Sequence, residues 1–297
     1  MARAGLSNFI GNAPFHLVED KYRGAGYEMI FGDDSRLGRL VKGDYQIVAV
    51  SMNSVLLNLG MILGNAKVVY AYVKAAGDGS DLIICRGEVN DAEQLAELRI
   101  GVQKASLEHF IFEYLFFLNG VKRRREYFWM NRGEYHRAMK AEQIDAAVFC
   151  DPALSQILSD DKFRLFGGDM KKVVLTAMGV IAIRQDTLTD DKGRIEEFVS
   201  ILSEGIKAVD SADDSMLKAK GGAFLAGINS PKKKLLSEVA FLSLEENRKL
   251  FAPEEDDSLF KRCSEWLEFL KSSGFETTVG SGLSAASIFD PGIVKAL

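Results

Sequence analysis

Residues 134–158 read EYHRAMKAEQIDAAVFCDPALSQIL. A polar run, Glu134 to Gln143, has helical composition and ends at an acidic turn. Four apolar residues follow, Ala146-Ala147-Val148-Phe149, the length and character of a buried strand. The burst stops at Cys150-Asp151-Pro152, and a second helical pattern begins. A strand flanked by helices in this way delivers its last residues to the mouth of a sheet, which marks the chain as α/β.

The same grammar extends in both directions. "RAGLSNF" reads as a strand, and "APFHLVEDKYRGAG" as a helix whose Pro14 suits its first turn. "YEMIFG" and "YQIVAVS" are strands separated by the short helix "RLGRLVKG". "NSVLLNLGMILG" is a helix opened at Asn53 or Ser54 and closed by Gly64. "AKVVYAYVKA" and "LIICRG" are strands on either side of "GDGSD", where Asp78-Gly79 has hinge chemistry. Then come the helix "DAEQLAEL", the strand "RIGVQ", the amphipathic helix "SLEHFIFEYLFFLNG" and the strand "EYFWMN". "KVVLTAMGVIAIRQDTL" holds one long or two short strands. From Lys192 the chain is mainly helical, including "LLSEVAFLSLEENRKLF". Alternating βα units predict mostly parallel sheets flanked by helices. Two such clusters with a helical return predict two lobes, 1–76 plus 182–297 and 77–181, with a ligand cleft between them.

Composition narrows the function. With 297 residues, 47% hydrophobic and 27% charged, the chain is an ordinary globule. A net charge of −5 argues against nucleic acid as the partner. The three Cys and three His lack metal-ligand spacing, so no metal is expected. No cofactor is indicated either. "MARAGLSNFIGN" reads as a first strand and lacks the charged start and apolar run of a secretory signal.

Open α/β sheets bind ligands outside the carboxyl ends of their strands, often at helix N-termini. That rule selects Asn12 and Phe15 after the first strand, the former as a planar amide and the latter as an apolar wall. It selects Asp33 and Ser35 with Asp34 after the second, Ser51 and Asn53 after the third, and Ser106 as cap and ligand donor. Cys150 and Asp151 form a further wall. No activating base accompanies Cys150, which reads as a small apolar residue rather than a nucleophile. Tyr72, Asp78 and Ser80 lie where the chain crosses between lobes.

These segments, in order, resemble the substrate-binding proteins of nitrate/taurine/aliphatic-sulfonate ABC importers. "GNAPFHLVEDKYRGAGYEMIFGD" is similar to the family's opening strand, "APL"-like helix and second strand. "RLGRLVKGDYQIVAVSMNSVL" resembles its "L-x-x-G-x-x-D" segment. "GDGSDLIICRGEVNDAEQLAELRIGVQKASLEHFIFEYLFFLNGV" resembles the "S-x-G-A-D" loop, the "DLKGKKIGV" strand and the "GS-x-x-HY" helix. The stretch 134–158 is similar to "AGQVDAAVTWEP", and the C-terminal helices and "DPGIVKAL" to the family's close. Two departures stand out. Phe149-Cys150-Asp151-Pro152 replaces Thr-Trp-Glu-Pro, removing the aromatic anchor, and Ala105 replaces the glycine before Ser106.

The resemblance implies a two-lobed periplasmic-binding-protein-like type II fold. It implies a non-catalytic, monomeric binder that closes on a small polar or anionic solute, with His109 added to the ligand set. Its partner would be an ABC permease of the inner membrane, and its place the periplasm or cell surface. The alternatives are a cytoplasmic enzyme on the same fold, of desulfinase or pyrimidine-synthase type, and a receptor's sensing domain.

Overall fold

The computed structural model describes residues 1–7, 9–32, 36–76, 81–104, 106–121, 126–149, 153–170, 173, 178–273 and 283–297. The chain divides into two compact units, Met1–Lys74 with Ala177–Leu297, and Ala75–Thr176.

The first unit is built on a six-stranded sheet. Its strands are β1 (Ala2–Leu6), β2 (Tyr27–Phe31), β3 (Ile47–Ser51) and β4 (Ala66–Ala75). The second unit's sheet follows with β5 (Leu82–Arg86), β6 (Arg99–Val102), β7 (Glu126–Trp129), β8 (Ala146–Phe149) and β9 (Phe163–Leu165). The chain then returns to the first sheet with β10 (Gly179–Arg184) and β11 (Val239–Phe241). The strand orders are β11-β4-β10-β3-β1-β2 and β7-β6-β8-β5-β9.

Both sheets are mixed rather than mostly parallel. β1 runs parallel to β2 and β3, but β10 is antiparallel to both of its neighbours, β3 and β4. β6 runs parallel to β7 and β8, while β5 is antiparallel to β8 and β9. The expected junction at 181/182 falls inside β10, whose residues Gly179 to Ile183 pair with Ser51 back to Ile47. Among the described residues of the segment 172–188, Gly179–Arg184 is strand, and the helix Gln185–Asp190 follows it. β9 and β11, three residues each, carry no alternation by which sequence could mark them, and β11 lies within a stretch read as helix.

The first unit's core forms where the helix Lys192–Ser211 crosses the helix Ala13–Leu17. Gly205 permits that crossing, since a Cβ there would stand 2.4 Å from the Pro14 carbonyl oxygen. Phe198 then reaches Tyr22 and Tyr27, at 4.8 and 5.3 Å between ring centroids, and the Tyr22 hydroxyl donates to the Phe198 carbonyl. Rings of this size contribute most of such a core's apolar burial. In the second unit, Ile84, Tyr135, Met139, Ile144, Phe149, Ile157 and Phe163 pack into one cluster.

β4 carries its pairing on the outer side with a succession of partners. Leu242, just past β11, donates its N–H to the Tyr72 carbonyl at 3.0 Å. Farther along, the Asn247 side chain meets Ala71. At the other end, Val68 and Phe289 form a parallel bridge, with Val68 N–H donating to Ile288 and Asp290 N–H donating to Val68.

Candidate functional site

The pairings place the carboxyl ends of β1, β2, β3 and β4 on one edge of the first sheet, where β10 begins. Gly179 keeps this edge compact: a Cβ there would meet Val73 at 2.5 Å and the Tyr72 ring at 2.9 Å. Its neighbour Met178 accepts the Met52 N–H at 2.8 Å, fixing the start of the helix Met52–Leu57.

Asn12 is fully buried and already engaged. Its amide nitrogen donates to the Ser7 carbonyl at 2.7 Å, and its oxygen accepts the Tyr72 hydroxyl at 2.7 Å. The side chain therefore ties the turn after β1 to β4. Burial pushes the Tyr72 phenol up, and the nearby Arg36 charge pulls partly the other way. Phe15 does not form an apolar wall. It has no exposed surface and packs edge-on to Tyr72 at 5.2 Å, beside Tyr22 and Phe198. The exposed aromatic of this edge is Phe9, three residues before Asn12.

Ser51 is half-buried, and its hydroxyl lies 2.7 Å from that of Ser54. Asn53 differs from its neighbours. It is 1% exposed, its oxygen accepts the Ser54 N–H at 2.9 Å, and its amide nitrogen is buried with no hydrogen-bond partner. A buried donor left this way costs about 1–3 kcal/mol. Asp33, Asp34 and Ser35 lie outside the described residues. Arg36, at the start of the helix Arg36–Lys42, brings a cation to the same edge. His16 also stands here, stacked on Phe31 at 3.8 Å. Its burial lowers its pKa against the opposing charge of Glu19, so it is neutral at pH 7.

In the second unit, the carboxyl ends of β6, β7 and β8 share an edge. Ser106 caps the helix Leu107–Leu118 by accepting the His109 N–H at 3.3 Å. Asp81 stands where β8 ends, since Leu82 pairs with Phe149. Arg132, past the end of β7, donates to Asp81 at 2.7 Å and lies 3.2 Å from Glu108, a carboxylate 4% exposed. Tyr135 accepts the Gln103 N–H at 2.8 Å, and burial, with the Glu108 charge, raises its phenol to about 12. His109 sits edge-on to Tyr127 and Trp129. Cys150, Asp151, Asp78 and Ser80 lie outside the described residues. Arg132 directly follows "EYFWMN", so the post-strand rule reaches it; Trp129 is the last residue of β7 itself and carries no such mark in the sequence.

The thiols of Cys85 and Cys263 are buried, and burial pushes each up to about 12, which removes nucleophilic character at neutral pH. Among the described residues, no three His, Cys, Asp or Glu side chains are grouped as metal ligands, and no helix is long and apolar enough to cross a membrane.

No family model and no curated protein sequence matches the chain. Solved structures do. The alkanesulfonate-binding protein SsuA of Xanthomonas axonopodis pv. citri, bound to MOPS, superposes with a TM-score of 0.64 at 15% identity, covering 97% of each chain. The periplasmic aliphatic sulphonate binding protein SsuA of Escherichia coli gives a TM-score of 0.67 at 14% identity, over 91% of this chain and 85% of that one. The Candida albicans CA3427 product, which exhibits the generic periplasmic binding protein structural fold, gives 0.64 at 16%, over 99% and 94%. At such identities the likeness is one of fold, and it runs the length of the chain: this protein has the periplasmic binding protein fold.

Proposed function

We propose that this chain is the solute-binding component of an ABC importer. It takes a small polar or anionic solute and hands it to a membrane permease. The groups that hold it lie at the carboxyl edge of the first unit's sheet. The observation that carries the reading is the buried, unpartnered amide nitrogen of Asn53, a donor held ready at a strand end. Arg36 supplies a positive charge on the same edge, which favours an anionic acceptor. The matched proteins named for sulfonate binding support the class of solute, and the periplasm or cell surface as the place of action. The buried Cys85 and Cys263 thiols give no support to a desulfinase-like alternative.

The test is thermal unfolding of the purified chain with sulfonates, nitrate, carboxylates, aminopyrimidines and flavins. A solute at about 100 times its Kd adds about 2.7 kcal/mol, a shift of a few degrees for a chain of this size. A shift with one class, and recovery of that compound unchanged by mass spectrometry, is the expected result. A compound that returns chemically altered would replace binding with catalysis.

A further inference from the structure

β9 ends the strand order of the second sheet, and among the described residues β5 is the one strand that pairs with it. A sheet edge presents main-chain groups to which another strand can bond, so the groups β9 presents decide what it can join. Leu165, Arg164 and Phe163 lie opposite Ile84, Cys85 and Arg86. At the two ends of that ladder, Phe166 N–H donates to Ile83 and Gly87 N–H donates to Lys162. Antiparallel pairs alternate between bonded and non-bonded, so Lys162, Arg164 and Phe166 turn their main-chain groups toward β5. Phe163 and Leu165 turn theirs outward. Leu165 is 48% exposed, and it borders a groove of about 740 Å³ that Leu158, Phe163 and Arg164 also line. An extended, partly apolar strand with open space beside it has what self-pairing needs.

Two contacts oppose it. Phe163 N–H donates to the Asp160 carbonyl at 3.0 Å, and the Phe163 carbonyl accepts the Arg164 guanidinium at 2.9 Å. We propose that Arg164 is an autoinhibitory contact that keeps β9 from pairing with β9 of a second copy. Two such strands can meet antiparallel about a two-fold axis. Centred on Arg164, the pairing has four hydrogen bonds, between Phe163 of each copy and Leu165 of the other. All four need the main chain of Phe163, which is already engaged. The same register sets the two Arg164 side chains opposite each other in a non-bonded pair, where side chains stand closest and like charges repel. Centred instead on Leu165, the pairing keeps the two bonds between the Leu165 residues. Beyond them, Phe163 faces Gly167, whose N–H donates to Val89 at 2.8 Å. Arg164 thus withholds a carbonyl and supplies a repulsion at one edge of the second unit, whatever solute the chain takes.

Light scattering and sedimentation over a concentration series compare the full chain with Arg164→Ala, and with Arg164→Ala that also carries Leu165→Pro. The parent is expected to stay monomeric. Arg164→Ala should self-associate at concentrations at least about tenfold lower than any at which the parent does, from the freed carbonyl and the lost repulsion together. β5 makes no use of Leu165 N–H, so proline there removes the outward donor and spares the ladder to β5. The double variant should therefore return to monomer. Hydrogen exchange gives a reading that partial unfolding does not imitate. In the parent, the Leu165 amide should exchange at least about a hundredfold faster than the Arg164 amide. In associated Arg164→Ala, the Leu165 amide should slow. An Arg164→Ala chain as monomeric as the parent overturns the proposal. So does association that Leu165→Pro fails to reverse, a Leu165 amide already slow in the parent, or a parent dimer that Leu165→Pro dissolves.

Discussion

Asn247 makes with its side chain the two hydrogen bonds that a neighbouring strand would make to Ala71. Its oxygen accepts the Ala71 N–H at 2.8 Å, and its nitrogen donates to the Ala71 carbonyl at 2.7 Å. The two residues are 176 positions apart, and Asn247 is fully buried. A primary amide has the donor and acceptor of a peptide group in the same plane, so it continues the ladder between Leu242 and Phe289. Asn247→Ala leaves two buried backbone groups of Ala71 without partners. The expected loss is roughly 2–4 kcal/mol, read from the denaturant midpoint at unchanged slope. A loss under about 0.5 kcal/mol would show that water or a neighbour takes over the pairing.

Asn53 is the converse case, a buried amide whose nitrogen has no hydrogen-bond partner within the chain. Asn53→Leu has nearly the same size and removes the orphan donor. The variant is expected to unfold at the same temperature as the parent or a few degrees higher, by about 1 kcal/mol. The ligand-induced shift seen in the parent should be lost. A variant that binds normally would take Asn53 out of the site.

The Asn12–Tyr72 pair sets a different expectation from the one its position first suggests. Its place after β1 selects Asn12 as a ligand donor, yet both ends of its amide are engaged inside the unit. Asn12→Ala and Tyr72→Phe should each cost about 1–2 kcal/mol of stability. In the double variant the losses should fall short of additive by about 1 kcal/mol, the coupling of a shared hydrogen bond. Additive losses would mean that the 2.7 Å contact contributes nothing.

Asp145 links stability to acid. Arg99 grips its carboxylate with two hydrogen bonds of 2.7 Å, and these chiefly hold its pKa below the ordinary carboxylate value, against the effect of burial. A depressed pKa stabilises the folded state above the unfolded value, near 3.9. That contribution is lost as pH falls through the lower folded value. Asp145→Asn should therefore cost about 1–2 kcal/mol at pH 7, toward the low end for a charged pair because Arg99 is 40% exposed and solvent screens it. The gap between variant and parent should close as pH drops below about 4. A gap that persists undiminished at pH 2 would assign the effect to packing.

The alternation of strands and helices was legible because buried strands are continuous apolar runs. The run AKVVYAYVKA coincides with Ala66–Ala75 residue for residue. The direction of β10 was not legible, since a strand's own composition does not record from which side the chain arrives. Phe9 and Phe15 flank Asn12 at equal distances, and which of them faces solvent is decided by Tyr22 and by Tyr72 and Phe198, the last two remote in sequence. Position after β3 singled out Asn53, but an unpartnered nitrogen is a property of three-dimensional surroundings. Glu108 was hidden for a related reason. Its burial at a helix start makes sense only once Arg132, 24 residues on, is seen beside it.

The place of β10 between β3 and β4 governs how the chain matures during synthesis. β3 and β4 are made early, yet the strand that joins them ends at Arg184. At about 5–20 residues per second, the apolar faces of Ile47–Ser51 and Val68–Val73 wait on the order of ten seconds for their partner. The unit Ala75–Thr176 holds all five strands of its own sheet and needs nothing downstream. Residues 75–176 are thus equipped to fold before 1–74, and a released fragment ending at Thr176 should resist protease within 75–176 while 1–74 is cut. Residues 1–74 are made before 75–176 yet are sheltered after them, so of the two stretches they depend more on a chaperone's cover.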